Sequence, residues 1–573
     1  MSIHSQTDRR LFLKFLGLGL TGFSADMSAL GPLATTSSTD RLPFTPIKPH
    51  TADEVVLPPE FRYETVALWP DPLPGTRSRF GYNADYTALL PVPGRDDEAL
   101  LWVNHEYVSI PDPEDGHIGV YTQTFPLLMH RQPTLSDELH DVGASVLHLR
   151  RGADDRWRIV ASPLTRRFDA NSTMTVSGPA LRSVSRVAGT LANCSGAVTP
   201  WKTVLTCEEN FQDCVPERVD TRGNGRAGGR FRRNGAHYGW IVEADPFDPT
   251  FMPVKHTMLG RFRHENIALR ATPGVPLVAY MGDDRTDGHV YKFVSEERYV
   301  PGEPRNRGGL LSRGRIYAAV FHADGTGGWR ELNDATPLRP NPASATPSIP
   351  RRATTLGHVY RDLGAIVTDA FRASNLIGAT PTGRPEDIEV HPLDGSVFIA
   401  FTDIGTAPGT MFSNLHGEIW RLEEEDPIGT RFTWMRWRAG GPNDHSQAGN
   451  IFGSPDNLAF DRAGNMWIVT DIKSTRLNAH QHFAAFGNNG MFFVPTSGAD
   501  AGRAFQFASA PCEAEFTGPS WTPDERTLFI SVQHPGEATG IRMTSNSAPR
   551  GSNWPGDRPG LPPRPGVIVV RRR

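Results

Sequence analysis

From about residue 61 onward, short apolar runs alternate with clusters of Gly, Asp, Asn and Pro. Runs of five to eight β-branched and aromatic residues bounded in this way predict strands. Examples are EALLWVNHEY (98–107), KTVLTCEEN (202–210), PLVAYMGDD (276–284), HVYKFVS (289–295), RIYAAVF (315–321) and GEIWRLEEED (417–426). Three later stretches share one form, a turn with Asp or Gly, an aromatic strand and a polar end: HPLDGSVFIAFTD, AFDRAGNMWIVTD and TPDERTLFISVQH. A recurring unit of this kind over a long chain predicts an all-β propeller of about six blades rather than a sandwich. One region breaks the pattern. Residues 339–352 are Pro-rich, and Leu363, Ile366, Val367 and Phe371 fall at helical spacing, which predicts a helix over 361–378. The stretch from about 304 to 378 therefore reads as a loop and helix insertion in a propeller spanning 61–573.

The N-terminus follows different rules. Arg9 and Arg10, then Phe12, Leu13 and Lys14, precede a Gly-diluted apolar stretch. This is the pattern of a twin-arginine export signal over 1–34 and predicts delivery by that machinery to the periplasm or the cell exterior. Asp26 and several glycines interrupt the apolar segment, and no later run reaches the ~18 apolar residues of a membrane span. Residues 35–60, rich in Ser, Thr and Pro, read as a linker.

Composition adds limits. Gly 56 and Pro 49 make up roughly 18% of the 573 residues, above the usual ~12%, in keeping with many turns. Lys and Arg total 59 against 63 Asp and Glu, a net charge of −4, so nothing points to nucleic acid. Four cysteines are too few for a disulfide scaffold.

Candidate chemistry comes from acids beside the strands. The innermost strand of each blade lines the axis of a propeller, so residues remote in sequence meet at its mouth. Cys194 and Glu209 flank one strand, and Glu265, Glu386, Asp456 and Glu515 stand beside others. From Glu209 onward the spacings are 56, 121, 70 and 59 residues. Each is about one blade, except the second, which fits two blades or one blade plus the insertion. Carboxylates brought together like this repel one another unless cations neutralise them. Calcium prefers carboxylate oxygens, whereas a thiolate suits iron or zinc, so the set suggests mixed metals. Several residues also have plainer readings. Arg384 could pair with Glu386 or Asp387. Glu208 could be a solvated neighbour or an outer support for Glu209. Asp283 and Asp284 could be a turn, and His105 and Glu106 a strand end. Cys207, Trp102, Trp240, Trp420 and Trp467 read as core, and Cys214 and Cys512 as free or paired.

The motifs FGYNADY (80–86), ANCSGAVTPWKTVLTCEENF (192–211), GRFRHE (260–265), GRPEDIEVHP (383–392), SPDNLAFD (454–461) and EFTGPSWTPDERTLFISVQHPGE (515–537) resemble the PhoX-type alkaline phosphatases. The resemblance covers roughly residues 60–540. It implies an exported propeller that hydrolyses small phosphomonoesters with iron and calcium, for phosphate acquisition. It further implies that Cys194 holds iron, Glu209 calcium, and Glu265 more than one metal. Glu386 and Asp456 would complete the cluster, and Arg384 would bind the substrate phosphate. Ser195-Gly196-Ala197 and Asn266 depart from the small-residue pattern expected beside Cys194 and Glu265. No His-base arrangement surrounds Ser195, so a serine nucleophile is not expected. Two alternatives remain: a calcium-dependent lactonase-like or phytase-like hydrolase with Cys194 idle, and a non-catalytic binding propeller.

Overall fold

The inner strands of six blades ring a common axis. In chain order they are Ala84–Pro91, Asn193–Val198, His264–Arg270, Pro385–Val390, Pro455–Phe460 and Glu515–Trp521, each touching the next and the last touching the first. Each opens an antiparallel meander, which we number blades 1 to 6. The computed structural model describes residues 42–112, 117–302, 309–340, 349–402, 414–442, 452–479, 481–544 and 550–573. The segment read as an export signal lies outside these residues.

Blade 6 closes the ring. Its outermost strand is Phe61–Leu68, from the start of the described chain, paired with Gly566–Arg572 near the C-terminus. The two ends of the propeller are thus held in one sheet. Blades 3 and 4 are fused at their rims: Thr326–Glu331 pairs with Arg431–Ala439, giving one nine-stranded sheet. Between blades lie buried apolar layers in which Trp102, Trp240 and Trp420 are at most 2% exposed and Trp467 is 9% exposed. Cys207 is buried among them.

The inner strands of blades 3 and 4 are neighbours at the axis. The spacing from Glu265 to Glu386 is therefore one blade plus extra chain, not two blades. In place of the single helix expected over 361–378, that chain forms two short helices, Leu363–Thr368 and Ala370–Leu376. Asp362 caps the first by accepting from the Ala365 amide at 2.9 Å. The break falls at Asp369, whose carboxylate accepts from the Tyr360 hydroxyl at 2.8 Å. Ile366, Val367, Ala370, Ala373 and Leu376 are buried against blades 2 and 3. The segment read as a linker is also tied down from Phe44 on. Phe44 is buried against Trp467, Phe493 and Phe507, and Val56 bridges to Ser509 of blade 5. Its Pro content disguised residues that pack on the propeller's flank.

All four cysteines are free. No helix among the described residues is long and apolar enough to cross a membrane.

Candidate metal centre

Two rings of side chains surround the mouth of the axis. The first comes from the starts of the inner strands: Asp85, Cys194, Glu265, Glu386, Asp456 and Glu515, one per blade. The second comes from the residue immediately after each second strand: Glu106, Glu209, Asp284, Thr402, Asp471 and His534. All twelve line one cavity of about 380 Å3.

Local backbone geometry explains how the first ring is aimed. In blades 1 to 5 the inner strand slips register against its partner across the ring residue, at Ala84/Thr87, Asn193/Gly196, His264/Ile267, Pro385/Ile388 and Pro455/Leu458. Such a bulge unpairs two residues and re-aims their side chains. In five of the blades a non-glycine residue with positive φ stands two positions earlier: Asn83 (52°), Ala192 (55°), Arg384 (49°), Ser454 (50°) and Glu513 (57°). Left-handed backbone costs a residue with a Cβ of order 1–3 kcal/mol. Its repetition at the same offset in unlike sequences marks the ring as an imposed geometry. Blade 6 differs, with its register slip later, between Thr517 and Ser520.

The residues behind the ring stitch blade to blade. Asp387 accepts from the Leu458 amide at 2.9 Å, and Asn457 accepts from the Gly518 amide at 2.8 Å. Asp387 thus pairs with the backbone of blade 5 and not with Arg384. Glu208 is fully buried, which rules out its reading as a solvated neighbour. It accepts from Lys255 Nζ at 2.6 Å, from Thr190 at 2.9 Å and from the amides of Gly239 and Trp240 at 3.0 and 3.1 Å. Glu208 therefore fixes the strand end that carries Glu209.

The five residues expected as metal ligands meet. Cys194, Glu209 and Glu265 offer ligand atoms within 4.8 Å of one another, as do Glu265, Glu386 and Asp456. Cys194 Sγ lies 3.3 Å from Glu265 Oε1. A third group joins Asp85 and Glu106 to Cys194 within the same limit. Arg384 spans the rings: it reaches Asp284 at 2.7 and 2.9 Å and Glu386 at 2.7 Å. The salt bridge expected with Glu386 is thus present, and the Arg384 side chain also lines the cavity.

Sequence reasoning missed part of the site. Asp85, Asp284, Asp471 and Glu537 line the cavity, together with Lys473 and Arg476. Glu537 accepts from the Tyr107 hydroxyl and, at 2.7 Å, from Ser474 Oγ. Glu515 of the first ring meets His534 Nε2 of the second at 2.8 Å.

Among the described residues the cavity wall carries ten carboxylates against three lysine or arginine side chains. Burial first, and then the charges of neighbouring carboxylates, push Asp85, Glu209, Glu265, Asp456 and Glu515 well above the usual carboxylate range. Burial likewise raises Glu106 to about 6. The Cys194 thiol is pushed up by burial and then by Asp85 and Glu265. Neither oxygen of Asp85, nor Oε2 of Glu515, has a hydrogen-bond partner among the described residues. Buried carboxylate oxygens without donors are costly unless something positive meets them. The donor set fits cations: oxygen ligands for hard ions and one sulfur for a softer one.

The family described as Alkaline phosphatase PhoX matches residues 42–536. The chain belongs to that family. A solved structure of Pseudomonas fluorescens PhoX, in complex with vanadate as a transition state analogue, is 29% identical and has a TM-score of 0.75. The match covers 92% of this chain and 98% of that one. A gluconolactonase from Xanthomonas campestris is 11% identical over 86% of this chain and 97% of its own, with a TM-score of 0.28, too low to support an argument. No curated protein matches the chain in sequence. As a member of the PhoX family the chain is a metal-dependent phosphatase with a propeller fold.

Proposed function

We propose that this PhoX-family chain hydrolyses small phosphomonoesters at the double ring, with iron held by the Cys194 thiolate and calcium among the carboxylates. The observation that carries the reading is the composition of the first ring: one sulfur among carboxylate oxygens, converging on a single cavity. A calcium-only hydrolase gives Cys194 no task there. Cys194 and Glu265 would hold iron, with Glu265 shared between metals, and Glu209, Glu386 and Asp456 would hold calcium. Bound metals would supply Lewis-acid neutralisation of the phosphoryl oxygens.

The chain's own residues do the rest. Arg384 presents a planar fork at the cavity wall that suits two phosphate oxygens. In the structure that fork is engaged by Asp284 and Glu386. A phosphate would compete for it, and metals on Glu386 would favour the exchange by drawing off that carboxylate's charge. Lys473 and Arg476 place further positive charge on the same wall. The vanadate bound by the Pseudomonas fluorescens relative is a transition state analogue. Stabilising such a state with preplaced positive groups is the most effective use of a buried polar site.

The direct test is hydrolysis of p-nitrophenyl phosphate by protein supplied with calcium, before and after chelation. Turnover should be lost on removal of metals and restored by adding iron and calcium together. Full turnover by demonstrably metal-free protein would overturn the reading.

We also propose export by the twin-arginine route, on the strength of Arg9, Arg10, Phe12, Leu13 and Lys14. Replacing both arginines by lysine should leave the protein in the cytoplasm. Unchanged export of that variant would contradict the route.

A further inference from the structure

A second cavity, of about 360 Å3, carries the opposite charge from the first. It lies where three separate segments meet. Pro179–Val184 leads out of an outer strand of blade 2, Arg222–Gly225 and Asn234–His237 belong to a long loop of the same blade, and Arg361–Thr368 includes the first short helix. Close backbone approach builds its walls. A Cβ on Gly364 would stand 2.4 Å from the Pro179 carbonyl oxygen, and one on Gly225 would stand 2.5 Å from the Ala236 amide. The Arg361 amide donates to the Thr221 carbonyl at 3.1 Å, tying the extra helical segment to the loop.

Each segment contributes one arginine to the lining: Arg182, Arg222 and Arg361. His237 joins them, and among the described residues no carboxylate lines the cavity. Two acids flank these arginines, and Asp362 forms an ion pair with Arg361. Asp362 caps the helix and accepts from Arg361 Nε at 2.9 Å, while Asp220 accepts from the amides of Arg222 and Asn224 at 2.8 and 2.9 Å. Arg182 Nε donates to the Pro179 carbonyl at 3.0 Å, and its charge lies near the Asp362 carboxylate. The size lies within the range of small-molecule sites, ~300–1,000 Å3. Three guanidinium forks around such a space match the oxygens of a multiply charged oxyanion.

We propose that this cavity is a second, metal-free anion site whose occupant is inorganic phosphate, the anion that phosphatase turnover releases. It stands apart from the metal centre: the two cavities have no lining residue in common. Its success or failure is therefore separable from the assignment of metals.

The test is equilibrium dialysis of the metal-loaded, full-length protein with labelled inorganic phosphate, comparing wild type with R182Q/R222Q/R361Q. Wild type should show two classes of site and the triple variant one. A charge-assisted hydrogen bond is worth ~1.5–3 kcal/mol, or about tenfold in affinity or more, so three losses abolish measurable binding at this cavity. Hydrolysis of p-nitrophenyl phosphate at low phosphate should stay within twofold of wild type, which shows that the variant is folded. The three single variants, each expected to weaken the second site about tenfold, serve if the triple variant misfolds. Equal phosphate stoichiometry and affinity in wild type and variants would overturn the proposal. So would a second site that takes sulfate or citrate and excludes phosphate.

Discussion

Cys194→Ala is expected to retain the fold and lose turnover by at least about 100-fold. Loss of even an outer partner of a metal ligand costs 10–100-fold, and here the ligand itself is removed. Cys194 is 8% exposed and small, so its truncation leaves the blade packing intact. The metal content should change selectively: iron falls, while calcium bound through the carboxylate oxygens persists. Metal analysis beside p-nitrophenyl phosphate kinetics reads both effects. A variant within a few-fold of wild-type turnover would return the site to a calcium-only hydrolase, in which the sulfur does nothing.

Arg384→Ala should be the other severe lesion, with kcat/KM lower by about 10²–10³-fold, the usual cost of removing one preplaced group that stabilises developing negative charge. Arg384→Lys should recover only part of this, because an ammonium keeps the charge but not the two-pronged geometry. The alanine variant also leaves Glu386 and Asp284 without their cation at 2.7 Å. Stability without metals should fall, and added metals should restore it while turnover stays low. That divergence separates a substrate-binding arginine from a purely structural one. If Arg384→Ala turns over normally once metals are supplied, the phosphate role is wrong.

Most of the first ring was readable in the sequence for a physical reason. Glu265, Glu386, Asp456 and Glu515 each follow a chain reversal and precede an aromatic or apolar strand, at spacings close to one blade. Asp85 obeys the same rule inside FGYNADY, yet beside three tyrosine or phenylalanine rings it reads as a turn before a core strand. The second ring was harder. Glu106, Asp284 and Asp471 stand where strands commonly end on an acid, so each looks ordinary in isolation. The signal was positional: one residue past the second strand, blade after blade, in VNHE, TCEE, MGDD, VTD and VQH. Glu208 could not be placed from sequence because its partner, Lys255, is 47 residues away. The same limit applies to the helical segment, where Asp369 interrupts an otherwise continuous helical period through a contact with Tyr360.

The central claim is that the two rings gather their acids and one sulfur around bound ions. Anomalous diffraction from crystals of the metal-loaded protein, recorded on both sides of the iron edge, tests it most directly. An iron peak bonded to Cys194 Sγ is expected, with calcium between carboxylates drawn from Glu209, Glu265, Glu386 and Asp456. An active crystal whose only ordered metal lies away from Cys194 would contradict it.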